Sequence, residues 1–216
     1  LTTYLGYFDG DNLEVTLADL MQKVIRDEPM TAGVGILHQK EGVDLVPSNL
    51  DLSAMEVSLV NAMSRERILH IYLDKVKENY DYVIIDCMPS LGMLTINALT
   101  AADKVIIPVQ AHFLASEGIP EVLELVRSVQ AKFNPSLKIA GILITMYQSK
   151  PQLCESIRES VVDVYGTKIN VFSHPIEYTI KLAEAPAAGQ SIFVYRPQNP
   201  AAVSYRCLAE EVLQLE

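Results

Sequence analysis

The stretch 81-DYVIIDCMPSLGML-94 carries the apolar run Tyr82 to Ile85 straight into Asp86, followed by a Cys-Met-Pro-Ser turn and Gly92. The apolar run predicts a strand buried on both faces. A carboxylate at the end of such a strand is costly to bury unless something uses it. Two readings fit these residues. In one, Asp86 holds a magnesium ion, often through water, against the phosphates of a nucleoside triphosphate. In the other, it is a turn or capping residue for the segment beginning near Ser90. Pro89-Ser90 stiffens the loop at one point and Gly92 makes it permissive at another, which suits a loop that senses a γ-phosphate.

Outward from this stretch, short apolar runs alternate with longer amphipathic ones. The runs 43–48, 82–87, 104–109, 138–146 and 169–176 are rich in Val, Ile and Leu and predict strands of a parallel sheet. Stretches 16–27, 62–79, 95–102, 115–133, 152–165, 178–186 and 200–215 have helical spacing. Within 62–79, Ile68, Leu69, Tyr72, Leu73 and Val76 share one face. The alternation predicts an α/β fold, doubly wound, with a mostly parallel sheet flanked by helices in a three-layer sandwich. No internal repeat or boundary interrupts it, so residues 1–216 read as a single domain. Ligands of such sheets sit at the carboxyl ends of the strands. That rule points to Asp86 and Pro89, to Pro108 and Gln110, to Met146 and Tyr147, and to the loop after Ile176.

Composition narrows the classes. The 216 residues are 50% hydrophobic and 20% charged, ordinary for a globular chain. The apolar runs are too short to cross a membrane, and LTTYLGYFDGDN does not read as a signal peptide. Cys87, Cys154 and Cys207 fit no disulfide or zinc spacing and suggest a reducing compartment. A net charge of −10 argues against nucleic-acid binding over the whole surface, though not against a local basic patch. Neither GxxxxGK[ST] nor GxGxxG occurs in the sequence; the nearest decoy, 33-GVGILHQK-40, lacks a glycine before Lys40 and reads as part of a connecting loop, 31–42.

Several segments in order nevertheless resemble one family. The run 80-YDYVIIDCMPSLGMLTINALTAADKVIIPVQAHFLASEGI-119, with 142-ILITMYQSK-150 and 181-KLAEAPAAGQSIFVYRPQNPAAVSYRCLAEEV-212, is similar to the ParA/Soj family of chromosome- and plasmid-partitioning ATPases. The likeness covers essentially the whole chain. It implies a P-loop, deviant-Walker ATPase that binds ATP/ADP and Mg²⁺. The family forms a nucleotide-sandwich homodimer, binds DNA nonspecifically, and is stimulated by a centromere-binding ParB-type partner. It also implies a bacterial cytoplasmic, nucleoid-associated protein without membrane attachment. Carried over by motif, Asp86 takes the Walker B position and 86–92 the following switch. Pro89, Met146, Tyr147 and Glu184 fall in the nucleotide site. Gln110, Glu117 and Gly118 fall in the dimer and switch region. Lys181, Arg158 and Lys150 fall at or near DNA-contact positions.

The same resemblance implies a phosphate loop and a catalytic aspartate upstream of a residue like Leu1, so no catalytic residue is assigned in 1–216. The expectation is an N-terminal extension of roughly 35–50 residues carrying that loop. Without the strand that belongs with it, a broad apolar face would be exposed. Met88 stands where the family usually has a proline, and Ile176, Glu177 and Tyr178 stand where it has Ile-Pro-Arg, which removes a cation. Three other functions stay open. A MinD-like membrane-cycling ATPase would want a basic amphipathic C-terminus, whereas 205-YRCLAEEVLQLE-216 is acidic. A non-hydrolysing nucleotide-dependent regulator would use the same fold. An iron–sulfur reductase would need cluster-ligating cysteines that Cys87 does not have.

Overall fold

The computed structural model describes residues 1–216 apart from Ala32, Ser149, Lys150, Pro151 and Glu216, and apart from the side chain of Asp11. The packing sorts into two compact units. One comprises residues 1–102 and 129–135, the other 103–128 and 136–216.

In the second unit, strands β3 (Lys104–Gln110) and β4 (Lys138–Thr145) pair in parallel from Lys104 opposite Lys138 to Gln110 opposite Thr145, with a bulge between Val105 and Ile106. Segment 170–178 follows the other edge of β4. Phe172 N–H donates to Ile142 O at 3.0 Å, Ile176 N–H to Ile144 O at 2.8 Å and Tyr147 N–H to Ile176 O at 3.0 Å. The expected strand 169–176 therefore lies parallel to β4, but through isolated bridges at Val171 and Glu177 rather than a continuous ladder. Side chains alternate across this sheet as a period of two requires. Ile107, Val109, Ile142 and Ile144 pack on one face with Ile119 and Leu123 of α6 (Ile119–Lys132) and Cys154 and Val161 of α7 (Gln152–Tyr165). Ala140, Leu143, Phe172 and Ile176 pack on the other with Leu208 and Val212 of α10 (Pro200–Leu213). Helices on both faces of a parallel sheet make this the doubly wound α/β arrangement the sequence predicts. Gly141 fits only as glycine, because a Cβ there would lie 2.9 Å from Asn170 O and from Phe172 Cε2.

The first unit is mainly helical. Its core joins Leu20 and Met21 of α1 (Leu17–Ile25), Met55 and Leu59 of α2 (Asp51–Val60), Ile68, Leu69 and Tyr72 of α3 (Ile68–Leu73) and Ala98 of α4 (Met93–Ala101). The Asp19 carboxylate accepts from both the N–H and the hydroxyl of Thr16 at 2.8 Å, which fixes the start of α1. A two-residue hairpin, β1 (Leu37–His38) with β2 (Asp44–Leu45), is antiparallel.

Four expectations need correction. The run 43–48 forms a strand only at Asp44–Leu45, and its partner β1 arises within the presumed loop 31–42. The helix expected over 62–79 is α3 flanked by 3₁₀ turns at Arg65–Arg67 and Lys77–Asn79. Helix α2 is not marked in the sequence reading at all. The run 82–87 forms no strand: Tyr82, Val83 and Ile84 are 52%, 44% and 88% exposed, and Ile85 alone packs against the core. Apolar composition makes a segment suitable for a ladder, but the ladder needs a neighbour in register.

Candidate functional site

Asp86 is exposed at the end of this apolar segment. Beside it, partial burial of the sulfur and then the Asp86 charge push the Cys87 thiol up. Residues 88–95 form a tied turn: Ser90 N–H donates to Met88 O at 2.8 Å, Gly92 N–H to Ser90 Oγ at 3.3 Å, and Thr95 Oγ1 to Ser90 O at 2.6 Å. Helix α4 follows, held at both ends by side chains from elsewhere in the same unit. Glu56 of α2 accepts from Met93 N–H at 2.9 Å and Leu94 N–H at 3.1 Å. Asn134 Nδ2 donates to Leu99 O and Ala102 O at 3.0 and 2.7 Å. Between them, buried Asn97 accepts from Leu69 N–H at 3.1 Å and donates to Arg65 O and Met93 O at 2.8 and 2.9 Å. Pro89 is exposed in the tied turn. Among the described residues no three His, Cys, Asp or Glu side chains cluster as a metal site, so Asp86 offers a single carboxylate.

The remaining candidates lie in the second unit. Gln110 ends β3, and Met146 and Tyr147 follow β4, so these three share the carboxyl edge of the parallel sheet. Met146 adopts a left-handed backbone (φ 52°), uncommon for a side chain of its size, and is 51% exposed. Tyr147 is clamped through its backbone by Ile176 O and Tyr178 N–H. Glu117 and Gly118 join α5 (Phe113–Ser116) to α6, where Glu117 N–H donates to Phe113 O at 3.3 Å.

Tyr147 also opens a polar chain. Its hydroxyl donates to Glu155, whose other oxygen accepts from Arg158 Nη1 at 3.1 Å, and Arg158 Nη2 reaches Ser173 O at 3.5 Å. The Tyr147 bond, with the Arg158 charge second, holds the Glu155 carboxyl below its usual range, and the same bond raises Tyr147. Lys181, in α8 (Ile180–Glu184), donates to Glu184 Oε2 at 2.6 Å, and the Tyr195 hydroxyl reaches the same oxygen at 2.9 Å. Lys181, and then Tyr195, depress the Glu184 pKa. A surface cleft of about 480 Å³ is lined by Lys181, Arg196, Pro197, Gln198, Asn199 and Pro200. Lys150 lies outside the described residues.

Structure thus gathers Gln110, Met146 and Tyr147 at one sheet edge and shows Glu184 paired with Lys181 rather than standing alone. Asp86 and Pro89 belong to the other unit. The residues missed from sequence are Glu56, Asn97 and Glu155. A signal for the first lay in Met55 and Leu59, a helical pair flanking Glu56, behind Asn49, whose side-chain oxygen accepts from Asp51 N–H at 3.1 Å.

Comparison with known proteins gives this geometry a lineage. The AAA domain family model AAA_31 matches residues 1–139. The sporulation initiation inhibitor protein Soj of Bacillus subtilis is 44% identical over 172 residues, 80% of this chain and 67% of that protein. The chromosome partitioning protein ParA of Caulobacter vibrioides is 33% identical over 195 residues, 89% of this chain and 72% of that protein. Across curated relatives the matched segment takes in as little as 56% of the relative's length. A crystal structure from Mycobacterium smegmatis, described as cobyrinic acid a,c-diamide synthase with bound ATP analog and magnesium, superposes with a TM-score of 0.83 at 33% identity, covering 99% of this chain and 77% of that one. A plasmid partition protein from Borrelia burgdorferi shares the fold at 21% identity and a TM-score of 0.71. The apolar run into Asp86, the parallel sheet edge and these matches agree: the chain belongs to the AAA_31 family of AAA domains, within the ParA/Soj group.

Proposed function

We propose that residues 1–216 act as one ParA-like domain of a Mg²⁺-dependent ATPase that partitions bacterial chromosomes or plasmids. The observation that carries this reading is the 44% identity to Soj over 172 residues. It is supported by the placement of Asp86 before a tied turn that leads into a helix anchored at both ends. In this reading the ligand is ATP or ADP with magnesium. A lone carboxylate fits such an ion, because Mg²⁺ keeps several waters and binds through one or two carboxylates plus substrate phosphates. Bound there, the ion would neutralise charge on the phosphates. By the family's motifs, Asp86 would hold it through water and Pro89 would belong to the phosphate-sensing turn, while Met146, Tyr147 and Glu184 match the family's other nucleotide-site positions. Gln110, Glu117 and Gly118 belong to the switch and the homodimer contact. Lys181, Arg158 and Lys150 meet DNA phosphates without reading sequence, each contact adding salt-dependent affinity. The activator is a ParB-type centromere-binding protein. Among the described residues no helix is long and apolar enough to cross a membrane.

The test is ATP turnover of the intact protein with and without duplex DNA and a centromere-binding partner. Stimulation by both together is expected; turnover indifferent to both defeats the partitioning reading. A Lys181→Glu protein should bind nucleotide normally and lose retention on DNA, and unchanged retention removes Lys181 from the DNA surface. The M. smegmatis structure supports a second reading, an ATP-dependent amide synthase. ATP turnover that requires cobyrinic acid and ignores DNA would select it.

A further inference from the structure

We infer that Glu56 is a positioning residue for the turn behind Asp86, setting from helix α2 how residues 88–92 meet a terminal phosphate. The inference rests on the nucleotide reading above and adds a residue to it.

Helix α4 begins at Met93 with Gly92 as its N-cap, and a glycine has no side chain with which to satisfy the first N–H groups. The cap comes instead from 37 residues upstream, where the two Glu56 oxygens take the Met93 and Leu94 amides at 2.9 and 3.1 Å. A carboxylate at this end also complements the helix dipole. The anchor is stiff, because Met55 and Leu59 on either side of Glu56 in α2 are buried in the core of the unit.

Gly92 explains its own identity through this contact. Its backbone, at φ −80° and ψ −171°, is extended and open to any residue. Yet a Cβ there would stand 2.5 Å from Glu56 Oε1. A side chain at 92 would have to push the Glu56 carboxylate aside, so the glycine makes room for that contact rather than serving a backbone conformation. Once α4 is fixed, the turn follows: Thr95 on the helix holds Ser90 O, and Ser90 in turn holds the Gly92 amide and donates its own N–H to Met88 O. Glu56 is thus the one contact of this set that ties the turn to a different helix. With the Met93 and Leu94 amides taken by a carboxylate, a phosphate cannot use them. The turn itself, rather than the helix end, is left to respond to the nucleotide.

Intact protein carrying Glu56→Ala, Glu56→Gln or Gly92→Ala decides the matter in two measurements. The first is amide hydrogen exchange without nucleotide, read at Met93 and Leu94 against Val126 and Ile142 as internal references. Glu56→Ala and Gly92→Ala should lower protection at 93 and 94 by about tenfold or more, the scale of a lost charge-assisted hydrogen bond. Glu56→Gln, which keeps an acceptor oxygen, should recover part of it, and the references should hold. The second is the ratio of dissociation constants for fluorescent ADP and ATP analogues. Both disruptive variants should reduce the preference for ATP by about the same tenfold while leaving ADP affinity near wild type. Unchanged exchange at 93 and 94 overturns the capping. Lost protection with an unchanged ratio overturns the positioning role. A wild-type protein that binds neither analogue defeats the nucleotide reading and the positioning role with it, with the exchange result still reporting the cap.

Discussion

Replacing Asn97 by alanine should destabilise the first unit by about 2–4 kcal/mol, although Asn97 touches no candidate ligand. The side chain is fully buried and makes three hydrogen bonds, from Leu69 N–H at 3.1 Å and to Arg65 O and Met93 O at 2.8 and 2.9 Å. The three losses are unequal. Met93 O sits four residues before Asn97 in α4 and keeps its helical acceptor role, so its loss costs least. Arg65 O lies in a half-buried turn where water can replace the amide. Leu69 N–H is different: it belongs to the first turn of α3, which has no intrahelical acceptor there, and it is buried. An orphaned buried donor costs about 1–3 kcal/mol, and the remaining bond and the vacated amide volume supply the rest of the range. Urea unfolding followed by far-ultraviolet circular dichroism is the assay, with the midpoint lowered and the slope m unchanged. Asn12→Ala is the control, since Asn12 bonds Asp9 at an exposed site and should cost less than about 0.5 kcal/mol. An Asn97→Ala loss below about 1 kcal/mol would refute the claim that Asn97 ties α3 to α4.

Three further outcomes follow from other contacts. Tyr72 buries its hydroxyl without a hydrogen-bond partner among the described residues, and burial lifts its pKa to about 12, so Tyr72→Phe should leave thermal stability unchanged or raise it by up to about 1 kcal/mol; a loss above about 1 kcal/mol would mean that the hydroxyl is satisfied. Gly141→Ala should destabilise the second unit by about 1–3 kcal/mol in the same urea assay, because its Cβ meets backbone at Asn170 and the Phe172 ring; a neutral substitution would show that segment 170–178 yields easily. Burial pushes the Glu211 carboxyl up, but hydrogen bonds from His174 and from the amide and hydroxyl of Ser173 prevail and leave it below the usual 4.5. The unfolded chain therefore binds this proton first, so the Glu211 contribution is complete above about pH 4.5 and fades as pH falls through the lower folded value. Glu211→Gln should flatten this acid limb of the stability profile, and an unaltered limb would assign it to other carboxylates.

The second unit was largely legible because its strands and helices are long enough to show their periods. β3 and β4 alternate cleanly onto two helical layers, and α6, α7 and α10 begin and end near the limits their spacing sets. The first unit was read less well for a physical reason: its elements are short and depend on tertiary capping. Helix α4 takes both caps from distant residues, and α2 exposes Val57 and Val60, which blurs its amphipathic pattern. The run 82–87 shows the same limit from the other side, since its composition invites a strand but composition cannot supply the neighbour. In the site, Gln110, Met146 and Tyr147 were legible as sheet-edge positions because strand ends follow from strand positions, whereas Asp86 ends a run that forms no strand. Glu56 and Glu155 were not, because each acts through a partner that only the fold brings near.

The cations bear on how the proposed DNA surface would work. Lys181 is already matched with Glu184 and Arg158 with Glu155, both pairs one helical turn apart and partly solvent-accessible. Solvent-screened pairs of this kind add little stability, so a phosphate displaces the carboxylate at little cost. The displaced carboxylate does not leave, however; it stays within a turn of the helix and repels the incoming backbone. Each such cation therefore contributes less affinity than an isolated lysine would, on a chain whose net charge is −10. Retention on DNA then has to come from several paired cations engaging together, which favours an assembled form presenting two copies of the surface over a single copy. The Tyr147–Glu155–Arg158 chain adds a direction to this. If the proposed roles hold, a phosphate that takes Arg158 from Glu155 would leave that carboxylate bonded to Tyr147, so the two proposed ligands would act on one shared side chain.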